Sequence, residues 1–177
     1  MSLRLPVADL IKATGGQLVR PADAQAAGDQ IARSEVITGV ATDSRQAAPG
    51  DLFVALRGPN ADGHAFVADA FARGAVLALV RDAAAVAGPA LVVADPLRAL
   101  GAIAALHRRT LQATVIGITG SVGKTTTVGL CAKVLDTRYR VARSAESWNA
   151  ELGVALTLLG LDTSYDMAVV EMAMRGL

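Results

Sequence analysis

The run Thr119-Gly120-Ser121-Val122-Gly123-Lys124-Thr125-Thr126-Thr127 sets glycine, lysine and hydroxyl side chains in an order suited to phosphate chemistry. Glycines at 120 and 123 let the backbone curl so that successive N–H groups face one anion. An apolar run, Thr114–Ile118, precedes it and a helical pattern, Lys124–Leu135, follows. The helix would therefore turn its free N–H groups and positive dipole end toward the same anion. Lys124 would reach the β- and γ-phosphates of a nucleotide such as ATP, and the Thr125 hydroxyl would hold Mg²⁺. One position departs from the general phosphate-loop pattern, which would put its first glycine where Ile118 stands. The plain alternative is a glycine turn leading into a capped helix, with Lys124 merely solvated.

Glu171 closes the apolar run Met167-Ala168-Val169-Val170. It is therefore expected at the carboxyl end of a strand beside the loop, where open α/β sheets bind ligands. A carboxylate there suits a Mg²⁺ ion on nucleotide phosphates, and the alternative is an ordinary strand-end charge. Asn149 is read as a helix cap, and Trp148 as packing. Two further clusters lie in expected loops, Thr42-Asp43-Ser44-Arg45 and Asp62-Gly63-His64. Ser44 with Arg45 would suit a phosphate, and His64 a hydrogen bond to one. The alternative makes Asp43 and Ser44 a turn and His64 a helix start. His107-Arg108-Arg109 closes a helix whose dipole favours positive charge, so no function is assigned to it. Cys131 is read as core.

The elements that must hold these residues follow from patterning. Residues 6–14 read as a short helix stopped by Gly15-Gly16, and 20–30 as a loop. Glu35–Ala41 and Leu52–Leu56 read as strands joined by a turn-rich segment. A helix over His64–Arg73, strands at Val76–Val80 and Leu91–Val93, and a helix over Pro96–Arg109 complete the first part. Beyond residue 110 the order is strand (Thr114–Ile118), helix (Lys124–Leu135), strand (Tyr139–Ala142), helix (Ala150–Leu159) and strand (Met167–Met172). Strands alternating with helices imply parallel units. The expected fold is α/β: a small N-terminal α/β domain over 1–110, then the first part of a P-loop parallel-sheet domain over 111–177. Three strands and two helices make only half of such a sheet, so the sequence is read as an N-terminal piece of a longer protein.

Composition excludes several classes. Of 177 residues, 53% are apolar, but 36 are alanine, which leaves an ordinary globular content. Residues 1–110 carry 11 basic and 10 acidic side chains, and 111–177 carry 6 of each. Neither part has the basic excess that nucleic-acid binding wants. No apolar stretch approaches the roughly 18 residues of a membrane span, and no signal core opens the chain. With a single cysteine, these features point to a cytoplasmic protein. No feature specifies an oligomeric state.

At these residues the chain resembles the Mur ligases, ATP-dependent amide ligases that build the peptidoglycan precursor peptide. ATDSRQAAPGDLFVALRG followed by DGHAF is similar to the family's N-terminal UDP-sugar-recognition domain, and ITGSVGKTTT to its ATP loop, variant spacing included. TGS at 119–121, WNAELGVALTLL and VVEMAMRGL are most similar to the branch that joins D-alanyl-D-alanine to UDP-N-acetylmuramoyl-tripeptide. Ala150, Ala155 and Ala173 stand where that branch usually has Asn, Pro and Gly. The resemblance implies ATP and Mg²⁺ as cofactors, with Gly120, Ser121, Val122, Gly123, Lys124, Thr125, Thr126 and Asn149 around the nucleotide. It gives Thr125 and Glu171 to the metal, and Lys124 and Glu171 to catalysis. Thr42, Asp43, Ser44, Arg45, Gly63 and His64 fall to the UDP-linked substrate. The implied reaction phosphorylates the tripeptide carboxylate to an acyl phosphate, which the amine of D-alanyl-D-alanine then attacks. Three alternatives stay open: a sister ligase adding a diamino acid, a non-catalytic UDP-sugar-binding fragment, and a partition-type P-loop ATPase. The last would need a lysine where Thr119 stands.

Overall fold

Leu52-Phe53-Val54 and Leu77-Ala78-Leu79-Val80 lack polar alternation, the pattern of strands covered on both faces. In the computed structural model both lie inside a sheet and are buried along their whole length. The structure describes residues 3–20, 36–59, 61–82, 84, 88–144 and 150–172. The loop expected over 20–30 therefore falls almost wholly outside the described residues, as do Glu35, Trp148, Asn149 and Ala173.

The chain divides into two compact units, one over Arg4–Ile103 and one combining Met1–Leu3 with Ala104–Leu177. In the first, β1 (Leu5–Pro6) leads into α1 (Val7–Thr14). Gly15 ends the helix at φ 66°, its N–H donating to the Ile11 carbonyl, a left-handed cap that glycine adopts without steric cost. β2 (Gln17–Val19), β3 (Val36–Ile37), β4 (Gly39–Ala41) and β5 (Asp51–Val54) follow. After α2 (Val67–Ala72) come β6 (Leu77–Val80) and β7 (Ala90–Val92). The sheet order is β2-β7-β6-β5-β4, parallel except for β2, while β1 pairs antiparallel with β3 in a separate ribbon.

Three features differ from the sequence expectation. β1 and β2 are two and three residues long, too short to show a period, and exist through their distant partners. The single strand expected over Glu35–Ala41 breaks at Thr38, whose N–H turns to the Gly50 carbonyl at 2.9 Å. The helix expected from His64 begins as a tight turn, Gly63–Phe66, before continuing as α2. Part of the alanine content has its place here: Ala55, Ala70, Ala75, Ala78 and Ala90 pack with Phe53, Val67 and Val80 in one core.

α3 (Pro96–Arg108) contains the division between the units. The second unit holds β8 (Thr114–Ile118), α4 (Lys124–Leu135), β9 (Val141–Arg143), α5 (Ala150–Leu159) and β10 (Met167–Glu171). Its sheet is parallel in the order β8-β10-β9. Successive strand side chains point to opposite faces, and β10 shows it. Val169 packs with Val128 and Ala132 of α4, and Ala168 with Leu158 and Leu161 around α5. Cys131 is half-buried against the α4 cluster, in line with its core reading. His107, expected only as a helix-end charge, is buried, and its Nε2 lies 2.9 Å from the Leu161 carbonyl. A carbonyl only accepts, so Nε2 carries the proton.

Candidate functional site

β8 and β10 end side by side, with Glu171 opposite Ile118. The N–H of Met172 donates to the Ile118 carbonyl at 2.9 Å, closing the pair where the glycine loop begins. Gly120 takes φ 149° and Gly123 φ 79°. A side chain at Gly123 would meet nothing within 4 Å, so conformation rather than space calls for glycine there. α4 then starts at Lys124, whose Nζ donates to the Gly120 carbonyl at 3.0 Å and folds across the loop. The Thr127 hydroxyl returns to the Gly123 carbonyl at 2.8 Å. Ser121, Val122, Gly123, Thr125 and Thr126 are exposed, Val122 by 92%.

The Thr125 hydroxyl donates to Glu171 Oε2 at 2.7 Å across 46 residues of sequence. A hydroxyl and a carboxylate are hard oxygen donors of the kind Mg²⁺ takes. In octahedral geometry at ~2.1 Å, neighbouring ligand oxygens stand roughly 3 Å apart, close to this spacing. The donor set therefore fits the ion. Among the described residues no group of three or more His, Cys, Asp and Glu side chains gathers to hold a metal. Ser144, which the sequence reading missed, also stands here: its hydroxyl accepts the Glu171 N–H at 3.1 Å.

The first unit carries a cavity of about 620 Å³, within the range of small-molecule sites. Thr42, Asp43, Ser44, Arg45 and Gly63 all line it, joined by Asp69 and the half-exposed Phe66. The structure thus brings five of the six sequence-singled substrate residues to one wall. Arg45 forks onto Asp43, with Nε donating to Oδ1 at 2.9 Å and Nη2 to Oδ2 at 2.6 Å. That pairing holds the Asp43 carboxyl down to about 2. The buried Ser44 hydroxyl is the first cause, ahead of Arg73, of a lowered Asp69.

His64 is placed differently. It does not line that cavity but a neighbouring one of about 330 Å³ with Arg57, Asp62, Arg81 and Asp82. Its Nε2 accepts the Arg81 N–H at 2.9 Å, which leaves the proton on Nδ1 to donate to Asp62 Oδ1 at 2.6 Å. With both nitrogens bonded within the chain and a side chain only 13% exposed, His64 fixes the loop rather than offering a free hydrogen bond. The His64 ring, then Arg57, hold Asp62 well below the usual carboxylate range. Gly63 has a spatial reason: a Cβ there would lie 2.7 Å from both the N and the O of Leu56. Asp69, Arg57 and Arg81 carried no distinguishing signal in the sequence, because charged residues on a helix or strand end look like solvated surface.

Two family models match the chain: the Mur ligase family catalytic domain over residues 36–121 and the Mur ligase middle domain over 118–177. A UDP-N-acetylmuramoyl-tripeptide–D-alanyl-D-alanine ligase from Synechocystis sp. is 43% identical over 143 residues, 79% of this chain and 32% of that protein. The ligase of the same name from Mycobacterium leprae is 38% identical and spans 97% of this chain and 37% of its own length. Among solved structures, MurF from Acinetobacter baumannii superposes with a TM-score of 0.80 at 32% identity, covering 98% of this chain and 36% of that one. MurF ligase from Thermotoga maritima, solved in complex with ADP, gives a TM-score of 0.68 at 29% identity over 76% of this chain and 31% of its own. The chain spans about a third of the length of the curated relatives it matches.

Proposed function

The chain belongs to the Mur ligase family, and from that premise we propose that it carries the substrate-recognition part and the nucleotide loop of a UDP-N-acetylmuramoyl-tripeptide–D-alanyl-D-alanine ligase. The observation that carries this reading is the Thr125–Glu171 pair at the mouth of the glycine loop. Residues 1–110 are assigned to recognition of the UDP-sugar, and 111–177 to the start of the ATP-binding domain. The use of ATP supports a cytoplasmic location, and among the described residues no helix is long and apolar enough to cross a membrane.

The roles follow from the chemistry of each group. Backbone N–H groups of 120–126 would cradle the ATP phosphates, and Lys124, now on the Gly120 carbonyl, would turn to a phosphate oxygen. Thr125 and Glu171 would hold Mg²⁺, which supplies positive charge against the transferring phosphoryl group. Lys124 adds its own charge where negative charge develops. The tripeptide carboxylate takes the phosphoryl group, the amine of D-alanyl-D-alanine attacks the acyl phosphate, and ADP and phosphate leave. In the larger cavity, Thr42, Ser44 and the Asp43–Arg45 fork face the UDP-sugar. Gly63 belongs to that wall, His64 holds the adjoining loop from the smaller cavity, and Asn149, outside the described residues, is kept as a nucleotide contact.

Calorimetric titration tests the two halves separately, with circular dichroism on the same samples confirming a folded chain. UDP-N-acetylmuramoyl-tripeptide is expected to bind saturably, and more weakly to Arg45→Ala. ATP with Mg²⁺ is expected to bind independently of it. A folded chain that takes ATP and ignores the UDP-peptide overturns the substrate assignment. The 177 residues alone are expected to show no ligase turnover, and turnover matching a whole ligase would overturn that expectation.

A further inference from the structure

In a parallel ladder, backbone donors and acceptors alternate along each strand. β9 follows this rule through Ser144, whose N–H donates to the Val169 carbonyl at 3.1 Å. The next donor on β10 is the Glu171 N–H, and it goes not to a backbone carbonyl but to the Ser144 hydroxyl at 3.1 Å. A side chain thus supplies the last rung on that side of β10. On the other side, the Met172 N–H holds the Ile118 carbonyl at 2.9 Å. Glu171 sits between these two anchors, with its carboxylate on the Thr125 hydroxyl. Its backbone N–H is half-buried and obligatory, so losing its acceptor leaves a donor that must find another by moving.

We propose that Ser144 is a positioning residue for the metal-dependent part of nucleotide binding. By closing the ladder with its hydroxyl, it fixes the backbone from which Glu171 reaches Thr125, and thereby the spacing of the two oxygens suited to Mg²⁺. The proposal rests on the nucleotide-loop reading above. It requires a hydroxyl at residue 144 and nothing else of serine, so threonine serves and alanine does not.

The test compares wild type, Ser144→Ala and Ser144→Thr, each verified as folded by circular dichroism. ATP affinity is measured by calorimetry with Mg²⁺ and again with EDTA. Wild type is expected to bind ATP more tightly with Mg²⁺. Ser144→Ala should keep the EDTA affinity and lose roughly tenfold of the Mg²⁺ gain, the scale of one buried donor left without its acceptor. Ser144→Thr should restore it. Amide hydrogen exchange at Glu171, read by NMR without nucleotide, should be slow in wild type and Ser144→Thr and fast in Ser144→Ala. An unchanged Mg²⁺ gain in Ser144→Ala, or Glu171 exchange that ignores the substitution, overturns the proposal. If wild type binds no ATP at all while its Glu171 exchange is fast, both the proposal and the nucleotide reading fall. Slow, serine-dependent exchange without ATP binding overturns the nucleotide role alone and leaves the rung in place.

Discussion

The two regions that carry chemistry solve opposite problems. Around the larger cavity and the smaller one beside it, the polar side chains are bonded to one another: Arg45 to Asp43, Ser44 to Asp69, and His64 to Asp62 and the Arg81 backbone. Around the glycine loop, the residues are mostly exposed and held by few contacts. Lys124 folds onto the loop's own carbonyl, and Thr125 onto one carboxylate. In the first region the wall comes preformed, and the residues proposed for recognition also bond within the fold. In the second, Lys124 and Thr125 each rest on a single internal partner that a ligand would be able to replace. The difference implies that substitutions in the first region register as stability, and those in the second as affinity.

The sharpest way to break that contrast is Gly63→Ala. The added methyl would press into the Leu56 backbone, which has no side-chain freedom to yield, and is expected to cost about 2–3 kcal/mol. The urea midpoint of the first unit's transition, followed by circular dichroism, reads it. An unchanged midpoint would mean the wall is not preformed. Lys124→Ala tests the other side. ATP affinity should fall by at least about tenfold through loss of a charged donor, while the urea midpoint stays put. A large stability loss there would erase the distinction.

Acid should separate the regions more gently. Asp43 is held at about 2 in the fold, against an ordinary 3.8, and Asp62 and Asp69 are lowered too. Each folded pKa lies below its unfolded value, so the unfolded chain binds protons first as pH falls. The stabilisation is complete above about pH 4 and is lost as pH drops through the folded values toward 2. Urea midpoints at a series of pH values should show this decline, and Asp43→Asn should flatten it. All three carboxylates are solvent-accessible, so the effect is expected to be modest. The smallest effect belongs to Leu130→Gln, on the outer face of α4 at 61% exposure. Stability should change by no more than about 0.5 kcal/mol, measured as the same urea midpoint.

How much of this was legible in the sequence depended on whether a signal was local. α3, α4, α5, β8 and β10 announce themselves by periodicity or by a continuous apolar run, and the glycine loop by its spacing. The short β1 and β2 could not, since their identity lies in pairing with residues 36–37 and 90–92. The Asp62-Gly63-His64 cluster was visible as unusual, but its composition does not reveal that His64 has both nitrogens bonded internally. Ser144 was invisible for the same reason: its meaning arises only when a strand 27 residues later lies beside it.

Among the described residues, the order β8-β10-β9 puts the strand latest in sequence of these three in the middle. During synthesis, β8, the glycine loop, α4 and β9 must all emerge before any rung of this sheet can form, because neither early strand pairs with the other. Each waits with an unpaired edge for residues 167–171 to leave the ribosome. Such non-local closure is slow relative to local contacts and leaves apolar strands open to wrong partners meanwhile. The second unit is thus expected to gain structure abruptly on chain elongation, and a nascent chain stopped before Met167 to lack its sheet altogether.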